Sequence, residues 1–223
     1  MKLWTYAEAR DKIEQELDIK EEKFITPEEL LHIFNCAIDE AEAEVHNLFE
    51  SYFLCEKTYE LIKGQDRYPM PSDIYANKIK YLWFNDGIMR YQIKRLRDSI
   101  IPFADIPDIG YSFQIQHRDS TEGISLKLNP SVMHSGPHLH MQYIRNANRL
   151  FSDSDVIDIP EAMGFIFAYV KQEVYVKESN PLLQIAMAKV ESQRALMQTT
   201  LKSMTIDDDN EIAPDMSFYF DLN

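Results

Sequence analysis

Glycine is scarce in this chain, six residues in 223, and neither GxxxxGK[ST] nor GxGxxG can be found among them. A glycine-rich loop cradling a phosphate is therefore excluded. Cysteine is scarcer still. Cys36 and Cys55 are too few for a disulfide framework and have no basic neighbour close in sequence, so both read as buried thiols of a chain made in a reducing compartment. No apolar run approaches the length of a membrane span. The opening MKLWTYAEARDKIEQEL is acidic and amphipathic where a secretory leader is basic and then apolar, so neither leader nor span is expected. GxSxG and HExxH are also missing, and nothing argues for an enzyme or a cofactor.

Acidic charge is abundant, and it is unevenly placed. Residues 1–50 carry 14 acidic and 5 basic side chains, net −9; residues 203–223 carry 6 acidic and none basic, net −6; the middle is close to neutral, in a chain of net −14. Acidic ends discourage adhesion to free nucleic acid, because each neutralised phosphate needs a Lys or Arg. They suit repulsive surfaces or docking to a basic partner.

Helical signals flank a β region. Thr5 with Glu8, and Thr26 with Pro27 and Glu29, form two capping boxes. The first helix buries Tyr6, Ala9, Ile13 and Leu17; the second carries Leu30, Phe34, Ala37, Ile38, Ala41, Val45, Leu48 and Phe49 at helical spacing. Toward the other end, Pro160 opens a helix lined by Met163, Ile166, Phe167, Val170 and Val174. Asn180-Pro181 opens another, with Leu183, Met187, Val190, Met197 and Leu201 along a seam that Arg194 interrupts.

Between them, strands are predicted from about Phe53 to Ile62, over Asn77–Phe84, and over Tyr111–His117, Ile124–Leu128 and His138–Arg145. Asp86-Gly87 predicts a two-residue hairpin. In that register Trp83 faces Arg90 and Tyr81 faces Gln92. Leu82, Phe84, Met89, Tyr91 and Ile93 then share a buried side, and Ile79, Tyr81, Trp83, Arg90, Gln92 and Lys94 an aromatic and basic outer side. The fold class is α+β: an amphipathic bundle of N- and C-terminal helices with a central, mainly antiparallel small β-sheet or partial barrel. The expected divisions are N-terminal helices over 1–52, a β module over 53–146, a helical hairpin packing with the N-terminal helices over 147–203, and an acidic arm over 204–223 tipped by Phe218, Tyr219 and Phe220.

Candidate chemistry is sparse. His134, His138 and His140, with His117, have the residue type for a metal site, but alternating Leu139 and Met141 explain the same segment as a half-buried strand. The run from Asp207 to Glu211 lacks the glycine and closing Glu of a calcium loop. No catalytic, cofactor or metal residue is assigned. Candidate partner or oligomer contacts are Tyr81, Trp83, Arg90, Lys94, Phe218, Tyr219 and Phe220.

Three stretches together resemble a known family. They are PEELLHIFNCAIDEAEAEV, then YELIKGQDRYPMPSDIYANKIKYLWFNDG with its motif Tyr68-Pro69-Met70-Pro71-Ser72-Asp73, and then the Pro160-led IDIPEAMGFIFAYVKQEVYVKESNPLLQIAMAKVESQRAL. The pattern, over most of residues 26–202, resembles the head-to-tail adaptor (connector) proteins of tailed, podovirus-like bacteriophages; residues 97–157 are longer and more irregular than that family's sheet. The resemblance implies a structural virion protein made in the bacterial cytoplasm, a ring usually of twelve copies beneath the portal protein that extends the DNA channel and joins capsid to tail. Its partners would be other copies, the portal and the next tail or neck protein. Double-stranded DNA would pass without specific binding, along a wall to which Glu40, Glu42 and Glu44 are the candidate contributors. Three other readings compete: a soluble assembly chaperone or protein-binding module outside the virion, a nucleic-acid binder using Tyr81, Trp83, Arg90, Lys94, Arg95 and Arg97, and a histidine metalloenzyme.

Overall fold

A computed structural model describes residues 2–19, 24–85, 90–96, 111–117, 123–129, 131 and 136–208, with backbone alone at Asn85, Arg90, Tyr91, His117 and 205–208. The hairpin turn at Asp86-Gly87, the connection over 97–110, His134, the acidic run beyond Asp208 and the aromatic tip at Phe218, Tyr219 and Phe220 lie outside the described residues. The fold is α+β, and the chain divides into two compact units: Met1–Glu50 with Ala147–Asn223, and Ser51–Asn146.

The first unit is helical. Helix α1 (Tyr6–Leu17) and helix α2 (Pro27–Leu48) both begin with the complete capping boxes foreseen, Thr5 with Glu8 and Thr26 with Glu29. Reciprocal bonds satisfy amide donors that a helix start leaves unpaired. A 3-10 turn led by Pro160 runs into α3 (Met163–Glu178), and the Asn180 carboxamide accepts the Leu182 N–H just before α4 (Leu183–Asp208). Helix α3 is the centre of the unit, with α1, α2 and α4 all packed on it. It therefore buries Phe165 and Ala168 besides the expected Met163, Ile166, Phe167, Val170 and Val174. The α4 seam is Ala186, Val190, Met197 and Leu201, while Met187 is exposed. A two-residue ladder that the sequence did not announce pairs β1 (Trp4–Thr5) with β10 (Val156–Ile157).

In the second unit the described residues form two four-stranded sheets and no closed barrel. One has the order β2 (Leu54–Glu60), β9 (His138–Arg145), β4 (Ile74–Asn85), β5 (Arg90–Gln92); the other runs β3 (Arg67–Pro69), β8 (Ile124–Asn129), β7 (Ser112–His117), β6 (Lys94–Arg95). All pairings are antiparallel except β6 with β7. Leu82, Phe84, Leu139, Met141 and Tyr143 from the first sheet and Tyr68, Phe113, Leu126 and Leu128 from the second form one apolar core. The two sheets thus pack as layers around a shared interior.

Two details correct the hairpin register. Strands β4 and β5 pair Asn85 with Arg90, Phe84 with Tyr91 and Trp83 with Gln92, so four residues separate the last pair instead of two. A shift of two preserves side-chain faces, and Leu82, Phe84 and Ile93 are buried as expected. Strand β4 also has a bulge, since Ile79 faces Tyr143 while Tyr81 faces Gln142. The extra residue flips the alternation. Ile79 therefore packs against the core instead of joining Tyr81 and Trp83 outside. Nearer its start, Ala76 and Asn77 have φ of 46° and 56°, in the left-handed region that asparagine tolerates better than alanine.

The motif Tyr68–Asp73 is the strap that carries the chain from the second sheet back to the first. Tyrosines hold it. Tyr59 donates its hydroxyl to the Pro69 carbonyl at 2.7 Å, and Tyr143 donates to both carboxylate oxygens of Asp73 at 3.1 and 3.3 Å. The Asn146 N–H closes the strap on the Asp73 carbonyl at 2.7 Å. Pro69 and Pro71 lack donors, so partners for this segment come from side chains and from residues after them. Burial raises the Tyr59 and Tyr143 hydroxyls to about 12, with the nearby Asp73 charge adding to it. Burial likewise lifts Tyr6 and Tyr169 in the helical unit to about 12.

A titration prediction follows from these four. A raised folded pKa means that the unfolded chain loses protons first, so stability is intact below pH 10 and is lost as pH rises toward 12. Tyrosinate absorbance followed with circular dichroism from pH 9 to 12.5 should show a late, cooperative ionisation coincident with unfolding. Simple titration near 10 with the fold intact would contradict it.

Candidate functional site

The outer face of the first sheet carries the residues that the sequence singled out for contacts. Tyr81 and Trp83 stand two apart on β4, opposite Gln142 and His140 on β9, and Trp83 also faces Gln92 on β5. Tyr81 is 56% exposed. A cleft of about 430 Å³ opens there, lined by Tyr81, Leu82, Trp83, Gln92 and Gln142. Its lining is aromatic and carboxamide, without a charged group among the described residues. Such a surface offers flat apolar area and both donors and acceptors, the composition of a protein-contact patch.

Trp83 stacks on a histidine of the next strand. Its indole lies parallel to the His140 imidazole, with centroids 5.3 Å apart and 6° between planes, and His140 Nδ1 lies 2.8 Å from Glu56 Oε1 on β2. Glu56, His140 and Trp83 form a row across three strands that fixes the wall of the cleft. The expected stacking partner of Trp83, Arg90, has only its backbone described, in register with Asn85. Lys94 is not part of this ladder. It belongs to β6 and pairs with Ser112 in the second sheet, because the chain changes sheets between Gln92 and Lys94.

Among the described residues, histidines do not converge on a metal; His134 and the side chain of His117 lie outside them. His138 and His140 share one side of β9, yet no group of three His, Cys, Asp or Glu side chains among the described residues is arranged to hold an ion. Cys36 and Cys55 are free and half-buried, where full burial was expected; Cys36 Sγ lies 3.6 Å from His32 Nε2, one turn earlier on α2.

Of the three glutamates expected to line a channel, one is buried and two are paired with a basic residue. Glu42 is only 8% exposed; its Oε1 accepts the Ala147 N–H at 2.9 Å and lies 3.4 Å from His46 Nε2. It is an internal acceptor, and this removes it from any wall. Glu40 and Glu44 converge on Arg194 of α4: Nη2 donates to Glu40 Oε2 at 2.8 Å and Nη1 to Glu44 Oε1 at 3.5 Å, while Gln198 Nε2 donates to Glu44 Oε2 at 3.1 Å. Arg194, which breaks the apolar seam in sequence, is the tie between α4 and α2. Helical periodicity alone put these carboxylates on outer faces; their basic partner lies some 150 residues downstream, where spacing carries no signal.

No helix among the described residues is long and apolar enough to cross a membrane. No protein-family model matches the chain, and a search of curated proteins gave no significant match.

Proposed function

We propose that this chain is a structural, non-enzymatic component of a tailed-phage particle: a head-to-tail adaptor that assembles as a ring beneath the portal and continues the DNA channel toward the tail. The observation that carries the reading is the division of the chain. The stretches on either side of residues 51–146 belong to one helical unit, and the β unit is inserted between them. The three stretches with the adaptor-like pattern are the capped α2, the tyrosine-held strap and the Pro160-led α3 and α4, that is, the framework of both units. A helical scaffold suits side-by-side packing of copies, and the cleft at Tyr81 and Trp83 suits a neighbouring protein. Net −14 lets DNA pass without adhering, although the repulsive charge comes from groups other than Glu42.

The aromatic and carboxamide lining described for the cleft also favours a second reading, a soluble binding module or assembly chaperone that leaves before the particle is complete. Gradient-purified particles analysed by quantitative mass spectrometry separate the two. The adaptor reading expects the chain at a fixed ratio to the portal protein. Its presence in the lysate and loss from finished particles would favour the chaperone.

A further inference from the structure

Of the large apolar side chains described in the helical unit, that of Phe151 stands furthest out in water. Phe151 is 83% exposed. The loop that carries it is tightly held. Leu150 beside it is buried, and its N–H and carbonyl are both bonded by the Asn35 carboxamide, at 2.9 and 3.0 Å; Arg149 pairs with Asp39 at 2.7 Å. On the other side the Asp155 carboxylate accepts the N–H groups of Phe151 and Ser152 at 2.6 and 2.8 Å and the Ser152 hydroxyl at 2.9 Å. These bonds hold the Asp155 carboxyl below the usual aspartate range, so it is ionised. The carbonyls of Asp155 and Asp153 in turn take the Tyr6 and Ala7 amides at the start of α1. An aromatic ring on a pre-ordered loop loses little freedom on docking, which is the character of an anchor residue.

A receiving surface lies on the side of α4 turned away from its buried seam. Leu182 in the preceding turn, Ile185 and Leu196 are 48%, 69% and 59% exposed. Helical spacing places Ser192 and Lys189 on the same stripe, and Lys189 is its charged member among the described side chains. The Asp153 carboxylate is taken up by Arg10 at 2.7 Å, so the charge beside the ring is that of the ionised Asp155, which Lys189 on the apolar stripe complements. The two surfaces cannot meet within one copy. Asn35 and Asp39, which hold the Phe151 loop, lie on one side of α2, and Glu40 and Glu44, which hold α4, lie on nearly the opposite side. Different patches on opposite flanks associate head to tail, the arrangement that gives a ring where the rotation between copies closes and a filament where it does not.

We propose that Phe151 of one copy packs onto the Ile185–Leu196 stripe of a second copy, with Asp155 toward Lys189. The inference deepens the oligomeric part of the adaptor reading and rests on it. Sedimentation velocity on the full chain tests it with Phe151→Ser and with the double variant Ile185→Asp/Leu196→Asp, all at exposed positions, so unchanged circular dichroism is expected. Wild type should associate as concentration rises. Each variant alone should associate at least tenfold more weakly. Their equimolar mixture should regain one junction and stop at a dimer, since only the Asp-bearing copy still has Phe151 and only the Ser-bearing copy still has the stripe.

Wild-type-like association of Phe151→Ser, or a mixture without dimers, overturns the inference. So does a wild-type chain that stays monomeric up to about 1 mM, weaker than an anchored junction should be. Association through another surface leaves the adaptor reading standing; that reading falls only if the chain is missing from particles.

Discussion

Replacing Glu42 with leucine should lower folding stability by about 2–3 kcal/mol, because it leaves the Ala147 N–H without its acceptor inside the helical unit. Glu42→Gln keeps an oxygen at the same place and should lose less than half as much. Denaturant unfolding of the two variants measures the difference directly. A surface glutamate would behave otherwise: both changes would stay within about 0.5 kcal/mol of wild type. Two nearly neutral variants would return Glu42 to the exposed face on which helical spacing first put it.

Arg194→Glu is the second large effect, a loss of about 2 kcal/mol. It removes the bonds to Glu40 and Glu44 and sets a further carboxylate beside them and Glu191. It also strips the guanidinium from above the Phe165 ring, 5.2 Å from its centroid. Since the glutamates are partly solvated, the neutral Arg194→Met should lose about 1 kcal/mol or less. Raising salt should narrow the gap between the two variants. The swap Glu40→Arg with Arg194→Glu should recover part of the loss, a coupling that a double-mutant cycle reads. Equal stability of the Glu and Met variants at low salt would mean that the cluster does not tie α4 to α2.

The contrast between these residues and the helix caps shows what a linear chain discloses. Thr5 with Glu8 and Thr26 with Glu29 are three residues apart, and both boxes are in place with the helices they announced. Strand β9 has the bounds expected from its alternation, His138–Arg145. The α+β class follows from such local periods. Non-local features are where the reading fell short. One inserted residue in β4 sends Ile79 inward, a switch of sheets takes Lys94 away from Trp83, and Arg194 answers Glu40 from the far end of the helical unit. None of these leaves a mark in hydrophobic spacing.

The candidate site was legible in its aromatic residues and not in its partners. Tyr81 and Trp83 do share an outer face, because a register slip of two leaves alternation intact. Gln92 was placed beside them, whereas Gln142, His140 and Glu56 arrive through the β9 and β2 pairings. Phe151 went unremarked. In sequence it is one aromatic in a polar loop, and its exposure depends on Asn35 and Asp155 turning its neighbours inward.

Antibody labelling of particles from the source, viewed by electron microscopy, tests the central claim most directly. The account expects label confined to the single vertex where capsid meets tail. Intact tailed particles that never take label, together with partly disrupted ones that also remain bare, would contradict it and leave the soluble binding module as the reading to pursue.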